Sequence, residues 1–397
     1  MARSIKNYFL LLAMLMLACN NDQDSEPGIQ AIELNKTLIN LEVTDRDSVK
    51  VTTDIGDLDI TWESSNPDVA TIDEDGDILA LNSGSTTITA NVDGITATCE
   101  VNVEVTIFVG GSAMEFEAVY WKNGKINYLT TTGNDEGYYS WVNSIRVLNG
   151  DVFSGGLKLE QNTLLWKNSE EIILGNGYNE VKEIAIKGND VYAAVGNGKV
   201  FRWNESEELE LLSDDASRAH SIFIKNEDIY VGGLKKISEE FRPAIWKNGS
   251  ELILNNDEYT WVTDVFVDGD DFYVCGYEYI GGGLSHARYW KNTVKTNLTD
   301  GSTKAIPQSI AVKDGDIYIG GSLNNRPAIW KNEEATFYAE SGIDGSINEI
   351  QFHDGNLYAA GEISLESSSY GVVWKNGEEI FRTDVFDQGT INCISVK

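Results

Sequence analysis

Two clusters of aromatic residues and one series of polar residues are the parts of this chain whose types and spacing could bind a ligand. Tyr138 and Tyr139 lead to Trp141, and Tyr259 leads to Trp261. Amphipathic aromatics grouped outside a core suit stacking on sugar rings or a protein interface. The polar series is Asn143, Lys182, His220, Thr263, Gln308, Asn348 and Asn392, with all seven hydrogen-bonding but differing in identity. Two residues upstream of these stand Trp141, Glu180, Arg218, Trp261, Ile306, Ser346 and Thr390. Catalytic signatures are scarce. The only histidines are His220, His286 and His353, without metal-ligand spacing, so no metal site is expected. No nucleophile elbow, phosphate loop or dinucleotide fingerprint occurs, so no cofactor is expected. Carboxylates are abundant enough that an acid/base pair could still assemble in a cavity.

A repeat must position these residues. Trp121, Trp166, Trp203, Trp246, Trp290, Trp330 and Trp374 recur at intervals averaging about 42 residues. That period belongs to a four-stranded propeller blade. Each unit reads as four strands. In one, Gln308–Lys313 turns at Asp314-Gly315 into Asp316–Gly321, followed by Pro327–Trp330 and a strand near Ala335–Ala339. One large apolar residue per blade fills the space between neighbours, which makes these seven tryptophans core. Asp151, Asp190, Asp228, Asp271 and Asp316 recur at equivalent turns and read as structural for the same reason. The region opens at Ile107–Gly111, equivalent to a second strand, and ends at Asn392–Lys397, equivalent to a first strand. The last strand is therefore expected to complete the first blade and leave no unpaired edge. The polar series lies just before each first strand, and the entries to those strands converge on one channel mouth. A ring of hydrogen-bonding groups there is a usual ligand site, though a mouth that is merely wet would be polar too. Trp141 and Trp261 are expected in loops of that rim, with Tyr277–Ser285 projecting beside them.

The amino terminus carries Arg3 and Lys6, then an apolar run from Tyr8 to Ala18, too short for a permanent membrane span. Leu15-Met16-Leu17-Ala18-Cys19 resembles a bacterial lipobox, with Met16 where that motif usually has Leu. The resemblance implies a signal peptide over 1–18 and lipidation of Cys19. An acidic tether over 19–28 resembles the surface-export signal of some Gram-negative lipoproteins. The expected location is the outer membrane, lipid-anchored and exposed at the cell surface. Three thiols then remain, Cys99, Cys275 and Cys393, too few and too odd for a disulfide framework. The formal charge is −33, which makes nucleic acid an improbable partner and leaves the lipid as the only membrane contact.

Residues 29–104 alternate apolar and polar with period two, broken by Asp75-Gly76 and Asp93-Gly94 turns. The run Trp62-Glu63-Ser64-Ser65-Asn66-Pro67-Asp68-Val69-Ala70-Thr71-Ile72-Asp73, continued by Gly76, Ile78, Ala80, Gly84, Ile88 and Ala90, resembles the bacterial Ig-like domain, group 2. The resemblance implies a β-sandwich that often serves as a spacer and carries no catalytic residues. Asp73, Asp75 and Asp77 are read as a hairpin turn around Gly76 rather than a calcium loop. The expected fold is all-β: an Ig-like β-sandwich, then from residue 105 to 397 a seven-bladed β-propeller closed by the C-terminal strand. The expected function is non-enzymatic binding or adhesion to an extracellular glycan or protein through the rim. The rivals are a polysaccharide hydrolase or lyase with its site at the channel, and a scaffold subunit of a surface assembly.

Overall fold

The computed structural model describes residues 31–52, 59–113, 117–129, 139–159, 163–175, 179–203, 209–213, 218–238, 240–254, 259–366, 368–384 and 389–397. Cys19 and Tyr138 lie outside the described residues. No helix occurs among them, as expected from period-two patterning and many turn residues.

Among the described residues the first module has seven strands: β1 (Leu38–Glu42), β2 (Arg46–Ser48), β3 (Thr61–Ser64), β4 (Ala70–Ile72), β5 (Asp77–Ala80), β6 (Gly84–Val92) and β7 (Ile95–Glu104). They form one sheet ordered β1-β7-β6-β3, with β1 parallel to β7, and a second ordered β2-β5-β4. Ile39, Leu41, Ile78, Ile88, Cys99 and Val101 are buried in its core. Gly76 has φ +83°, and Asp73 Oδ1 accepts the amides of Asp75 and Asp77 at 3.0 and 2.9 Å. The acidic hairpin therefore organises itself, as its turn chemistry requires.

The rest of the described chain forms seven four-stranded antiparallel sheets. Sheet 1 contains Ile107–Ala113, Glu117–Lys122 and Lys125–Tyr128, completed by Thr390–Val396 from the carboxyl end. Sheets 2 to 7 begin with Ser140–Leu148, Val181–Lys187, Arg218–Lys225, Thr260–Asp268, Ala305–Lys313 and Asp344–His353. These first strands pack side by side in sheet order, and Thr390–Val396 packs against both Asp344–His353 and Ser140–Leu148. The architecture is propeller-like. Thr390 pairs with Ser112 and Val396 with Ile107, as the end-joining pattern of the sequence requires.

The repeat tryptophans are the core: Trp121, Trp166, Trp290, Trp330 and Trp374 are at most 2% exposed, and Trp203 and Trp246 at most 4%. In sheets 2, 4, 5 and 6 the lysine and asparagine after the tryptophan staple the sheet to the aspartate that opens its second strand. Lys247 Nζ lies 2.7 Å from Asp228, and Asn248 donates to Asp228 at 2.7 Å while accepting the Ile229 amide. The same set recurs at Asp271 with Lys291 and Asn292, and at Asp316 with Lys331 and Asn332. The asparagines have φ near +50°, which Asn tolerates in a tight turn.

All seven first strands carry a bulge, and apolar spacing explains it. Val142 and Ile145, Val262 and Val265, and Ile391 and Ile394 are buried pairs three residues apart. Strict alternation would put one of each pair on the wrong face, so an extra residue is accommodated. The pairing shifts between Val142 and Ser144, Val181 and Glu183, Ala219 and Ser221, Val262 and Asp264, Pro307 and Ser309, Ile347 and Glu349, and Ile391 and Cys393. Opposite the bulge the second strand carries glycine in six of the seven sheets, with Val195 in the third. A Cβ on Gly156, Gly233, Gly276 or Gly321 would stand 1.9–2.1 Å from a carbonyl oxygen of the first strand.

The first module docks on the end of the sheets opposite these bulges. Thr106 Oγ1 accepts the Val43 amide at 2.9 Å, and Lys122 Nζ reaches Asp45 at 2.6 Å. Ser83 Oγ lies 3.0 Å from His353 Nε2, and the Leu79 side chain packs over Gly150. Thr106 also exchanges two backbone hydrogen bonds with Lys397.

Candidate functional site

The seven polar residues of the sequence series are the bulged residues themselves. Their positions correct one expectation: they lie inside the first strands, not before them. All seven are half-buried and line one cavity of about 120 Å³. A bulge turns one carbonyl and one amide out of the ladder, and the neighbouring sheet satisfies both. Asn143 donates to the Val181 carbonyl at 2.9 Å, and Ser144 Oγ accepts the Ile184 amide at 3.1 Å. His220 Nδ1 meets the Val262 carbonyl at 2.6 Å, and Ser221 Oγ accepts the Val265 amide. Asn348 and Asn392 donate to the Ile391 and Val142 carbonyls at 2.8 Å each. Much of the ring is thus engaged in joining sheets. Lys182 pairs with Glu180, and Thr263 donates within its own sheet to the Cys275 carbonyl. No hydrogen bond of the Gln308 side chain occurs among the described residues.

Sequence reading missed the floor of this cavity. Position by position, the residue after each bulged one is Ser144, Glu183, Ser221, Asp264, Ser309, Glu349 and Cys393. Acids alternate with serines, a signal visible only once the repeats are aligned. Glu183, Asp264 and Glu349 accept the amides of Ile222, Ile310 and Ile394 from the next sheet at 2.7–2.9 Å. Arg146 bridges Glu183 and Glu349 at 3.1 Å each. Burial alone would lower the Arg146 guanidinium, but Glu349 and Glu183 raise it. Ser221 Oγ lies 2.6 Å from Glu183 Oε2 and 2.7 Å from Asp264 Oδ1. One hydroxyl proton cannot fully serve two carboxylate oxygens, so this arrangement favours a proton on one of the two carboxyl groups. Burial, and then the charge of Asp264, push the Glu183 carboxyl up to about 8. Burial also raises Asp264 against the hydrogen bond from Ser221, and raises Glu349 against Arg146.

The aromatic candidates occupy an arc of the same mouth. Trp141 and Trp261 are the second residues of the first strands of sheets 2 and 5, which corrects the expectation that they sit in loops. Both are half-buried. Trp141 Nε1 donates to Glu180 at 3.3 Å, which also accepts from Asn143 at 3.1 Å. Trp261 stacks on His220 with ring centroids 5.9 Å apart and planes 8° apart. Arg218 lies 4.2 Å from the Phe241 ring centroid and 5.6 Å from that of Trp261. A carbonyl only accepts, so His220 carries its proton on Nδ1. Burial lowers His220 to about 4, leaving it neutral at physiological pH.

Between sheets 4 and 5 a second cavity, of about 230 Å³, is lined by Leu234, Glu240, Phe241, Arg242, Tyr259, Thr260 and Trp261. Tyr259 is 71% exposed and has φ +55°, a strained conformation for an aromatic residue. Tyr139 is also exposed, ahead of Trp141. The corresponding positions of sheets 3 and 4 hold Glu180 and Arg218, and those of sheets 6, 7 and 1 hold Ile306, Ser346 and Thr390, so the two tryptophans stand three sheets apart with charged residues between them. The segment Tyr277–Ser285 is a strand hairpin rather than a loop: Asp271–Gly281 and Leu284–Lys291 extend past Thr260 to a turn at Gly282-Gly283. Cys99, Cys275 and Cys393 are free and buried.

Comparison with known proteins finds no match among curated proteins. Similar solved structures include the computationally designed Ika8 protein, at 14% identity over 65% of this chain and 91% of that one, TM-score 0.40. The WD40 β-propeller domain of Doa1 is 13% identical over 69% of this chain and 85% of its own, TM-score 0.41. The RRP9 WD40 repeats are 11% identical over the same shares, TM-score 0.44. For the first module, the family model of the bacterial Ig-like domain, group 2, matches residues 35–103. Residues 35–103 are a bacterial Ig-like domain of group 2.

Proposed function

We propose that this protein is a lipid-anchored outer-membrane protein that binds an extracellular glycan at the mouth of its propeller-like module. In this reading Cys19 carries the lipid, the acidic tether and the Ig-like domain are the spacer, and the seven sheets are blades of one seven-bladed propeller closed by Thr390–Val396. The observation that carries the reading is the pair Trp141 and Trp261. They stand outside the repeated core position, half-buried and three sheets apart across the mouth, with Tyr139 and Tyr259 beside them. Broad, partly exposed aromatic faces suit stacking on pyranose rings, and the Ig-like domain docks at the opposite end, leaving the mouth clear.

The second reading is a polysaccharide hydrolase or lyase, favoured by Glu183 and Asp264 on the cavity floor. It is weaker because their oxygens are already engaged. Glu183 contacts Arg146, Ser221 and the Ile222 amide; Asp264 contacts Ser221 and the Val265 and Ile310 amides. A glycan array probed with the full chain and with Trp141→Ala/Trp261→Ala tests the proposal. Binding by the wild type, lost in the folded variant, is the expected result. No binding, or equal binding by both, refutes it, and release of reducing ends that Glu183→Gln abolishes would establish the enzyme.

A further inference from the structure

The cavity between sheets 4 and 5 has a feature that glycan binding in general does not require. Arg218 has no carboxylate within ion-pair distance among the described residues, in a chain with 63 acidic and 30 basic residues. The other arginines of the sheets are placed differently. Arg146, Arg202, Arg242, Arg288 and Arg382 each reach a carboxylate, and Arg326 donates to the Ala339 carbonyl. Arg218 is instead packed against Phe241 and Trp261. Those rings cover apolar faces of the guanidinium and leave its N–H edge as the group able to meet a ligand. That edge is a planar fork matched to a carboxylate. Phe241 and Trp261 line the cavity while Arg218 stands behind them, outside its wall, so a ligand seated on the two rings would reach the fork past their edges. The carboxylate in the cavity wall, Glu240, is held by Arg242 and does not compete for Arg218. At about 230 Å³ the cavity is smaller than the roughly 300 Å³ at which drug-sized pockets begin, which fits one sugar unit of a longer chain.

A sugar with an apolar C–H face for the rings and a planar carboxylate for the fork is a uronic acid. We infer that this cavity is a subsite for a uronate unit of an acidic polysaccharide, with Trp261 and Phe241 stacking on the ring and Arg218 binding the carboxylate. The inference rests on the glycan-binding reading above. The formal charge of −33 repels polyanions at long range, so local recognition is best read near 0.15 M salt, where the screening length is about 8 Å.

The test is calorimetric titration of the full chain with a pectate hexasaccharide, its fully methyl-esterified form and cellohexaose. Pectate should bind roughly tenfold to a hundredfold more tightly than its ester, the usual range for a hydrogen bond to a charged group. Arg218→Gln should abolish that preference and Arg218→Lys should retain part of it, with unfolding transitions confirming that both variants fold. Equal binding of pectate and its ester, or an undiminished preference in Arg218→Gln, overturns the uronate assignment while leaving glycan binding standing. A sulfated hexasaccharide binding as tightly as pectate overturns the carboxylate as the recognised group. Failure of all these oligosaccharides, together with a blank glycan array, removes both readings.

Discussion

Replacing Glu183 by Gln should change how stability depends on pH, because the cavity floor holds a proton that the unfolded chain would release. Folding raises the Glu183 carboxyl from 4.5 to about 8. Between those values the native state binds more protons than the unfolded state, so stability falls as pH rises through that window. His220 acts oppositely. Its folded value of about 4 lies below its ordinary 6.5, so it costs stability as pH falls from 6.5 towards 4. Between pH 6.5 and 8 His220 restores only about 0.4 kcal/mol, as the half-protonated unfolded imidazole loses its proton, so the carboxyl groups dominate. From pH 6.5 to 8, at about 1.4 kcal/mol per pH unit, the loss is roughly 2 kcal/mol for one proton. Asp264 and Glu349 are raised as well and act in the same direction. With its oxygen in the Oε2 place Gln keeps an acceptor for both the Ile222 amide and the Ser221 hydroxyl, at the cost of turning its N–H2 towards Arg146, which retains Glu349. Urea unfolding of wild type and Glu183→Gln at pH 6.5 and 8 measures the difference. The wild type should lose about 2 kcal/mol over this interval and the variant about 1 kcal/mol or less. Equal losses in the two proteins, or a wild type that gains stability with pH, would refute the shared-proton argument.

Truncation after Gln388 removes Ile391, Cys393, Ile394 and Val396, all at most 1% exposed, and should give insoluble protein or a much lower thermal midpoint. Trp246→Ala and Trp330→Ala should each cost on the order of 3–5 kcal/mol by cavity formation, whereas Trp141→Ala and Trp261→Ala should cost about 1–2 kcal/mol, compared by urea unfolding. Gly321→Ala should cost about 2–3 kcal/mol or more, because its Cβ would meet the Ile306 carbonyl oxygen at 2.1 Å; an unchanged transition midpoint would contradict the close approach. Cys19→Ser should move the protein from the membrane fraction to the soluble fraction and abolish labelling by fatty acid.

The parts of the fold legible in the sequence were those that recur identically. Seven tryptophans at a steady period, Asp-Gly and Asn-Gly turns, and ends that begin and stop at mismatched strands dictate four-stranded units and the pairing of the two ends. The bulges were legible only in hindsight. Buried pairs such as Val142 and Ile145 break period-two alternation, so the intervening polar residues look like strand boundaries. Only the partner strand shows that the strand continues past them. That misreading also placed Trp141 and Trp261 in loops. The cavity floor was hidden for another reason. Glu183, Asp264 and Glu349 are three among 63 acidic residues, and nothing distinguishes them until the register brings them onto one circle with Arg146. Arg218 was visible as a position, but its meaning depends on Phe241, from a different strand of its sheet.

If the Ig-like domain is the spacer proposed above, the junction at Thr106 sets how a pull on it would reach the sheets. Tension transmitted from the Ig-like domain enters the sheets at the start of Ile107–Ala113. That strand lies between Glu117–Lys122 and the terminal strand Thr390–Val396, hydrogen-bonded to both. The bonds run perpendicular to the strand, so pulling along it strains two ladders in parallel instead of unzipping one bond at a time. Thr106 adds its two bonds to Lys397, tying the last residue of the chain to the point where force arrives. The pairing of Ile107–Ala113 with Thr390–Val396 would therefore be loaded in shear, the direction in which a paired strand resists extraction best.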